Sequence, residues 1–135
     1  MSFAQDADGN WGYKVGADAV IPFKSGNISI TRLSNITWSG TGEWKDQNHS
    51  TKIDVTDFDY LIIGKCIFDF GHSSNTVTIT IKYEDGTVIY TKTSVYTSED
   101  KSGFVIDVKK HTGVTISFYT NFAGGVAISG VLGIN

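Results

Sequence analysis

Between Thr76 and Tyr83 the chain alternates without a break: Val77, Ile79, Ile81 and Tyr83 carry apolar side chains, and Thr76, Thr78, Thr80 and Lys82 polar ones. Successive side chains of an extended backbone point to opposite faces, so this period of two predicts a half-buried β-strand. Glu84-Asp85-Gly86-Thr87 comes next. Asp-Gly suits the positive φ values of a two-residue type I′ turn, so Val88 to Lys92 is expected to return antiparallel. The alternation recurs at Phe104, Ile106, Val108 and at Val114, Ile116, Phe118, and a last strand is expected from Val126 to Ile134.

Residues 1–26 are punctuated by Gly9, Gly12 and Gly16 and hold the only proline, Pro22, so they read as an extended lead-in or connector with one short strand at Ala19 to Phe23. Over residues 27–135, short runs rich in Val, Ile, Thr, Tyr and Phe are separated by Gly, Asn, Asp and Ser clusters. That spacing predicts an all-β domain, an antiparallel β-sandwich of about eight strands with no helix. An internal echo refines the picture. Ile53-Asp54-Val55, a few polar residues and the apolar run from Tyr60 to Ile63 are matched by Ile106-Asp107-Val108, a polar corner and Val114 to Ile116. Strand, corner, strand is how a chain crosses between the two sheets of a jelly roll.

At 135 residues the chain has the size of one domain with one core. Apolar residues make up 40% and aromatics 13%, too rich for disorder. Eleven basic against fourteen acidic side chains leave a net charge of −3, and no basic cluster exceeds the pair Lys109-Lys110, so a phosphate-tracking surface for nucleic acid is not expected. No run reaches the roughly 18 apolar residues of a membrane span, and the N-terminus lacks the pattern of a signal peptide. The single cysteine, Cys66, lies in the apolar run Leu61 to Phe70 and reads as a small buried hydrophobe.

Motifs for catalysis or metal binding are weak. Asp6-Ala7-Asp8-Gly9-Asn10 opens like a calcium loop, but Trp11 and Ala17 stand where an EF-hand needs glycine and glutamate, so a solvated turn is expected. His49, His72 and His111 each stand alone in a predicted polar turn without zinc spacing, and are expected to face solvent. Gly71-His72-Ser73-Ser74-Asn75 lacks the closing glycine of a nucleophile elbow. Glu84-Asp85 and Glu99-Asp100 read as solvated turn charges. The expectation is therefore a non-catalytic protein with no cofactor and no metal.

The most informative stretch runs from Asn35 to Ser50, where Trp38 and Trp44 flank a glycine-rich bend and precede Asp46, Gln47 and Asn48. A sugar presents an apolar C–H face and a rim of hydroxyls, so a protein that holds it needs an aromatic platform beside planar polar groups. Trp38, Trp44, Asp46, Gln47 and Asn48 are the candidate ligand-binding residues. The competing reading is that both tryptophans bury their rings to anchor the loop on the sandwich edge.

The segment from Asp6 to Phe23, with "DGNWGY" followed by "GAD-x-V-x-PF", resembles a lead-in of tail fibre, baseplate and tail-tip proteins of phages and prophages of Gram-positive, often gut-dwelling, bacteria. The likeness covers that segment alone. The rest is similar to a generic jelly-roll or carbohydrate-binding-module sandwich. The resemblance implies a fragment of a longer appendage protein, on a virion tail or exposed at a cell surface, whose partner is a bacterial cell-surface polysaccharide. It equally admits a structural virion module assembled as a homotrimer.

Overall fold

A computed structural model describes residues 2–5, 9, 11–15, 19–22, 29–69, 75–95 and 99–135. Among them are twelve strands and no helix, against the eight or so strands expected. Three belong to the lead-in: β1 (Ser2–Gln5), β2 (Trp11–Val15) and β3 (Ala19–Pro22) form a small antiparallel sheet where one strand was predicted. The others are β4 (Ile30–Arg32), β5 (Ile36–Ser39), β6 (Gln47–Asp54), β7 (Tyr60–Asp69), β8 (Thr76–Tyr83), β9 (Val88–Val95), β10 (Glu99–Asp107), β11 (Gly113–Thr120) and β12 (Gly125–Ile134).

These nine make two sheets. The first has the order β10-β7-β12-β4, with β5 also pairing β12, and the second has the order β6-β11-β8-β9. All pairs are antiparallel. From β5 the chain passes to the second sheet at β6, returns at β7, crosses again for the β8–β9 hairpin, and goes back at β10, over at β11 and back at β12. That path is a jelly roll, so the predicted class holds, with β4 and β5 sharing one edge beside β12 and more strands than the eight or so expected.

The core follows from the alternation. Val77, Ile79 and Ile81 on β8 and Val114, Ile116 and Phe118 on β11 are buried against Leu61, Ile63, Ile106, Val126, Ile128 and Val131 of the facing sheet. Cys66 joins this core, and burial pushes its thiol up to about 11. On β7 the buried positions run Leu61, Ile63, then Cys66, and on β12 Val126, Ile128, then Val131, so both strands change face together at the paired Gly64 and Gly130. Glycine is needed there. A Cβ on Gly64 would lie 3.2 Å from the Gly130 Cα, and Gly130 has φ +64°.

The internal echo is two equivalent corners that interlock. Val55 N–H donates to Thr112 O at 3.1 Å, and in the other corner Val108 N–H donates to Asp59 O at 2.9 Å. Phe58 N–H returns to Val55 O and His111 N–H to Val108 O, both at 3.0 Å. The aspartate before each valine caps its turn: Asp54 Oδ1 accepts from Thr56 N–H at 3.0 Å, and Asp107 Oδ1 from Lys109 N–H at 2.9 Å. The bond from Thr56 N–H, with a second from its hydroxyl, holds the Asp54 carboxyl below its ordinary value. Both valines are fully buried. Pairing continues identically from each corner, Asp54 opposite Gly113 and Asp107 opposite Tyr60.

The β8–β9 connection differs from the expected type I′ turn. Gly86 N–H donates to Tyr83 O, and Tyr83 N–H to Thr87 O, both at 3.0 Å, so the loop holds three residues. Of these only Gly86 has positive φ, +87°, while Asp85 does not and instead accepts from Thr87 N–H at 2.8 Å. This is the alternative hairpin solution, an ordinary turn closed by a left-handed glycine, and it needs Asp only as a cap.

Candidate functional site

The β5–β6 loop and the β11–β12 loop meet at the end of the sandwich opposite the interlocked corners, and backbone bonds seam them together. Gly40 N–H donates to Gly124 O at 2.7 Å, Gly42 N–H to Phe122 O at 3.0 Å, and Lys45 N–H to Asn121 O at 3.1 Å. Gln47, at the start of β6, fastens the loop from within. Its Oε1 accepts from Thr41 N–H at 2.8 Å, and its Nε2 donates to Glu43 O at 3.1 Å and across to Phe122 O at 2.9 Å. Behind the second loop, fully buried Asn75 accepts from the Thr120 hydroxyl at 2.9 Å and donates to Ala123 O. Asn121 Oδ1 accepts from Thr76 N–H at 2.8 Å.

On this frame Trp44 is 57% exposed, with one face stacked on Phe122 at a centroid distance of 4.2 Å. Two residues on, Asp46 accepts from the Tyr119 hydroxyl at 2.7 Å, and that bond holds the phenol above its ordinary value. Asn48 is exposed on β6 directly across from Tyr119. Glu43 and Lys45 pair at 2.8 Å, which keeps the Glu43 carboxyl below its ordinary range.

The five predicted residues therefore divide. Trp44, Asp46 and Asn48 are exposed at this end. Gln47 is half-buried and turns its amide onto the loop backbone. Trp38 is half-buried and packs on the core, stacked on Phe118 at 6.2 Å and on His49 at 5.8 Å, the placement that the anchoring reading describes. Tyr119 and Phe122 complete the group. The alternation of β11 carried the signal for Tyr119, which it sends to the outer face, whereas Phe122 lies in the loop beyond that strand.

A second cluster sits at the corner end. The His111 ring stacks on Tyr83 at 3.7 Å and its Nδ1 lies 3.1 Å from both Glu84 oxygens, so it is half-buried rather than free in solvent as expected; His49 departs from that expectation in the same way. Lys109 donates to the Tyr60 hydroxyl at 2.9 Å, which holds its ammonium above the ordinary value, and approaches Asp107 at 3.5 Å. Tyr83, Asp107, Lys109, Lys110 and His111 line a hollow of about 360 Å³ there. Cations and carboxylates balance in this cluster, so it offers no strong pull on an anion. Sequence reading treated Glu84 and His111 separately because only the pairing of β8 with β11 brings turn and corner together.

Asp6 to Asp8, Asn10 and His72 lie outside the described residues. Among the described residues no group of three or more His, Cys, Asp or Glu side chains is placed to hold a metal ion. Among the described residues no helix is long and apolar enough to cross a membrane.

No protein-family model matches the chain, and neither does any curated protein. Among solved structures it is similar to infectious bursal disease virus Gx strain, with 16% identity, a TM-score of 0.44, and coverage of 98% of this chain and 40% of that one. It is also similar to the VP2 subviral particle of the same virus, at 16% identity and a TM-score of 0.38, over 90% of this chain and 36% of that one. The enzymatically active domain of bacteriophage CBA120 tailspike protein 4 is a third, at 15% identity and a TM-score of 0.38, over 81% of this chain and 19% of that one. The chain spans well under half the length of each. Likenesses this remote say nothing of a ligand, a partner or an activity.

Proposed function

We propose that this domain is a non-catalytic binding module, carried on a phage tail or another exposed appendage, that recognises bacterial surface glycan through the end of the sandwich formed by the β5–β6 and β11–β12 loops. The observation that carries the reading is the exposed Trp44 ring, backed by Phe122, on a loop that also presents Asp46 two residues on. A large exposed ring costs solvation unless something covers it, and here the loop beneath is fixed before any ligand arrives. The ring offers a flat apolar face to a sugar, and Asp46, Asn48 and Tyr119 offer acceptors and donors for its hydroxyls.

The test is binding of the labelled domain to Gram-positive cells and their purified wall polysaccharides, beside Trp44→Ala and Asp46→Ala. Saturable binding that weakens at least about tenfold in each variant, close to 1.4 kcal/mol, supports the reading. Binding that neither variant disturbs places recognition elsewhere, and no binding to any cell or polysaccharide overturns it. Trp11, also 57% exposed on the small sheet, is the observation that favours assembly with copies of the chain instead. A sedimentation mass of three chains that falls to one in Trp11→Ala would establish that role.

A further inference from the structure

The outer face of the β6-β11-β8-β9 sheet is chemically unusual in its order. The register places Asn48, Tyr119, Thr78 and Thr93 opposite one another, one on each strand, in a row across the whole sheet. One pleat further from the loops, Ser50, Ser117, Thr80 and Thr91 make a second complete row. Their hydroxyls are paired across strands: Ser50 with Ser117 at 3.0 Å, Thr78 with Thr93 at 2.8 Å, Thr80 with Thr91 at 3.3 Å. Each pair uses one hydroxyl hydrogen, so the second hydroxyl keeps its own for a partner outside the pair. Neither row contains an ionisable carboxylate or ammonium group; Asp46 borders the first row at the loop end, on Tyr119, and Lys52, Asp54 and Lys82 lie beyond the second.

The first row begins at Asn48, beside the Asp46–Tyr119 pair, and so continues directly from the Trp44 loop. Three inter-strand steps of about 4.8 Å make a track roughly 14 Å long. We infer that an uncharged polysaccharide chain lies along these two rows, perpendicular to the strands, with one sugar residue held at Trp44 and the following residues hydrogen-bonded to the paired hydroxyls. The ligand is then an internal stretch of a neutral glycan, not a lone terminal sugar. A polyanion would find no cation along the rows, and a peptide strand would find no open backbone edge on a sheet face. This inference rests on the glycan-binding reading of the Trp44 loop and names the ligand class for it.

The experiment uses a panel of neutral polysaccharides, dextran, mannan and galactan, with their di- to hexasaccharides, titrated into the whole chain. Beside it run Trp44→Ala and a variant carrying Thr78→Val, Thr80→Val, Thr91→Val and Thr93→Val. Valine keeps the shape and strand preference of threonine, so the sheet is retained and circular dichroism checks it. Affinity is expected to rise at least tenfold from disaccharide to tetrasaccharide and then level off; the valine variant loses that rise while keeping disaccharide binding, and Trp44→Ala loses both. Affinity independent of length, or a rise that survives the valines, overturns the track yet leaves Trp44 recognition standing. Absence of binding by the unaltered chain to every glycan overturns both.

Discussion

Gln47→Glu changes one nitrogen for one oxygen and tests whether the β5–β6 loop is fixed by this side chain. The carboxylate still accepts from Thr41 N–H, bonded at 2.8 Å in the parent, but it has no hydrogen to give to Phe122 O or Glu43 O, now held at 2.9 and 3.1 Å. Two lost bonds at about 0.5–1.5 kcal/mol each, with two carbonyl oxygens left facing a negative charge, amount to about 2–3 kcal/mol at pH 7. A domain of this kind has about 5–15 kcal/mol in hand, so the variant folds, with Tm lowered by about 8 °C. The facing carbonyls disfavour the ionised form, raising the introduced carboxyl above its unfolded value of about 4.3. A raised folded pKa gives stability that is present below the unfolded value and lost as pH rises, so the deficit against the parent is smaller at pH 4 than at pH 7. Urea denaturation of both proteins followed by tryptophan fluorescence at the two pH values measures it. A deficit below about 0.5 kcal/mol at pH 7, or one equal at both pH values, refutes the assignment of Gln47 as the fastener.

Three further outcomes follow from the core. Phe118→Ala empties the centre of β11 between the sheets and is expected to lower urea stability by about 3–5 kcal/mol. Gly133→Ala would place a Cβ 2.5 Å from ring atoms of Phe58, costing about 1–3 kcal/mol, and Phe58→Ala in the same chain should recover part of that loss in a double-mutant cycle. The Cys66 thiol, held near 11, should react with a disulfide reagent at pH 8 only at the rate of opening. Because the unfolded thiol ionises near about 8.5, stability should also fall as pH rises from there toward 11, a slope that Cys66→Val removes.

Fold class was readable because burial on one face imposes a period of two, and Val77 to Tyr83 and Val114 to Phe118 keep it strictly, while Phe104, Ile106 and Val108 keep it on the core face. The Ile-Asp-Val echo pointed to two corners because each needs the same parts: a buried valine, and an aspartate to cap the turn that follows. Strand pairing beyond the β8–β9 hairpin was not readable. Which strand lies beside β11 decides that Tyr119 meets Asp46 and that Glu84 meets His111, and those partners are far apart along the chain. The β8–β9 turn was misread because Asp-Gly serves two loop lengths, and the closing bond from Tyr83 N–H to Thr87 O selects between them. Trp38 and Trp44 look alike in sequence, yet Trp38 stands on a strand facing inward and Trp44 on a loop tip, a difference fixed by where β5 ends.

The two ends of the sandwich are closed by different means, and that difference bears on where recognition can evolve. At the corner end the interlocking bonds run mainly between backbone groups, with a buried valine at each centre, so changes there strain both sheets at once. At the other end the backbone seam between the loops is supplemented by three amide side chains from strand ends or loop bases, Gln47, Asn75 and Asn121, which reach the loop carbonyls or a strand N–H. Asp46 can therefore be exchanged without unfastening the loop, because its carboxylate meets the Tyr119 hydroxyl while other groups make the closing bonds. A surface that must track a changing ligand is best built on such a frame, rigid beneath and free above.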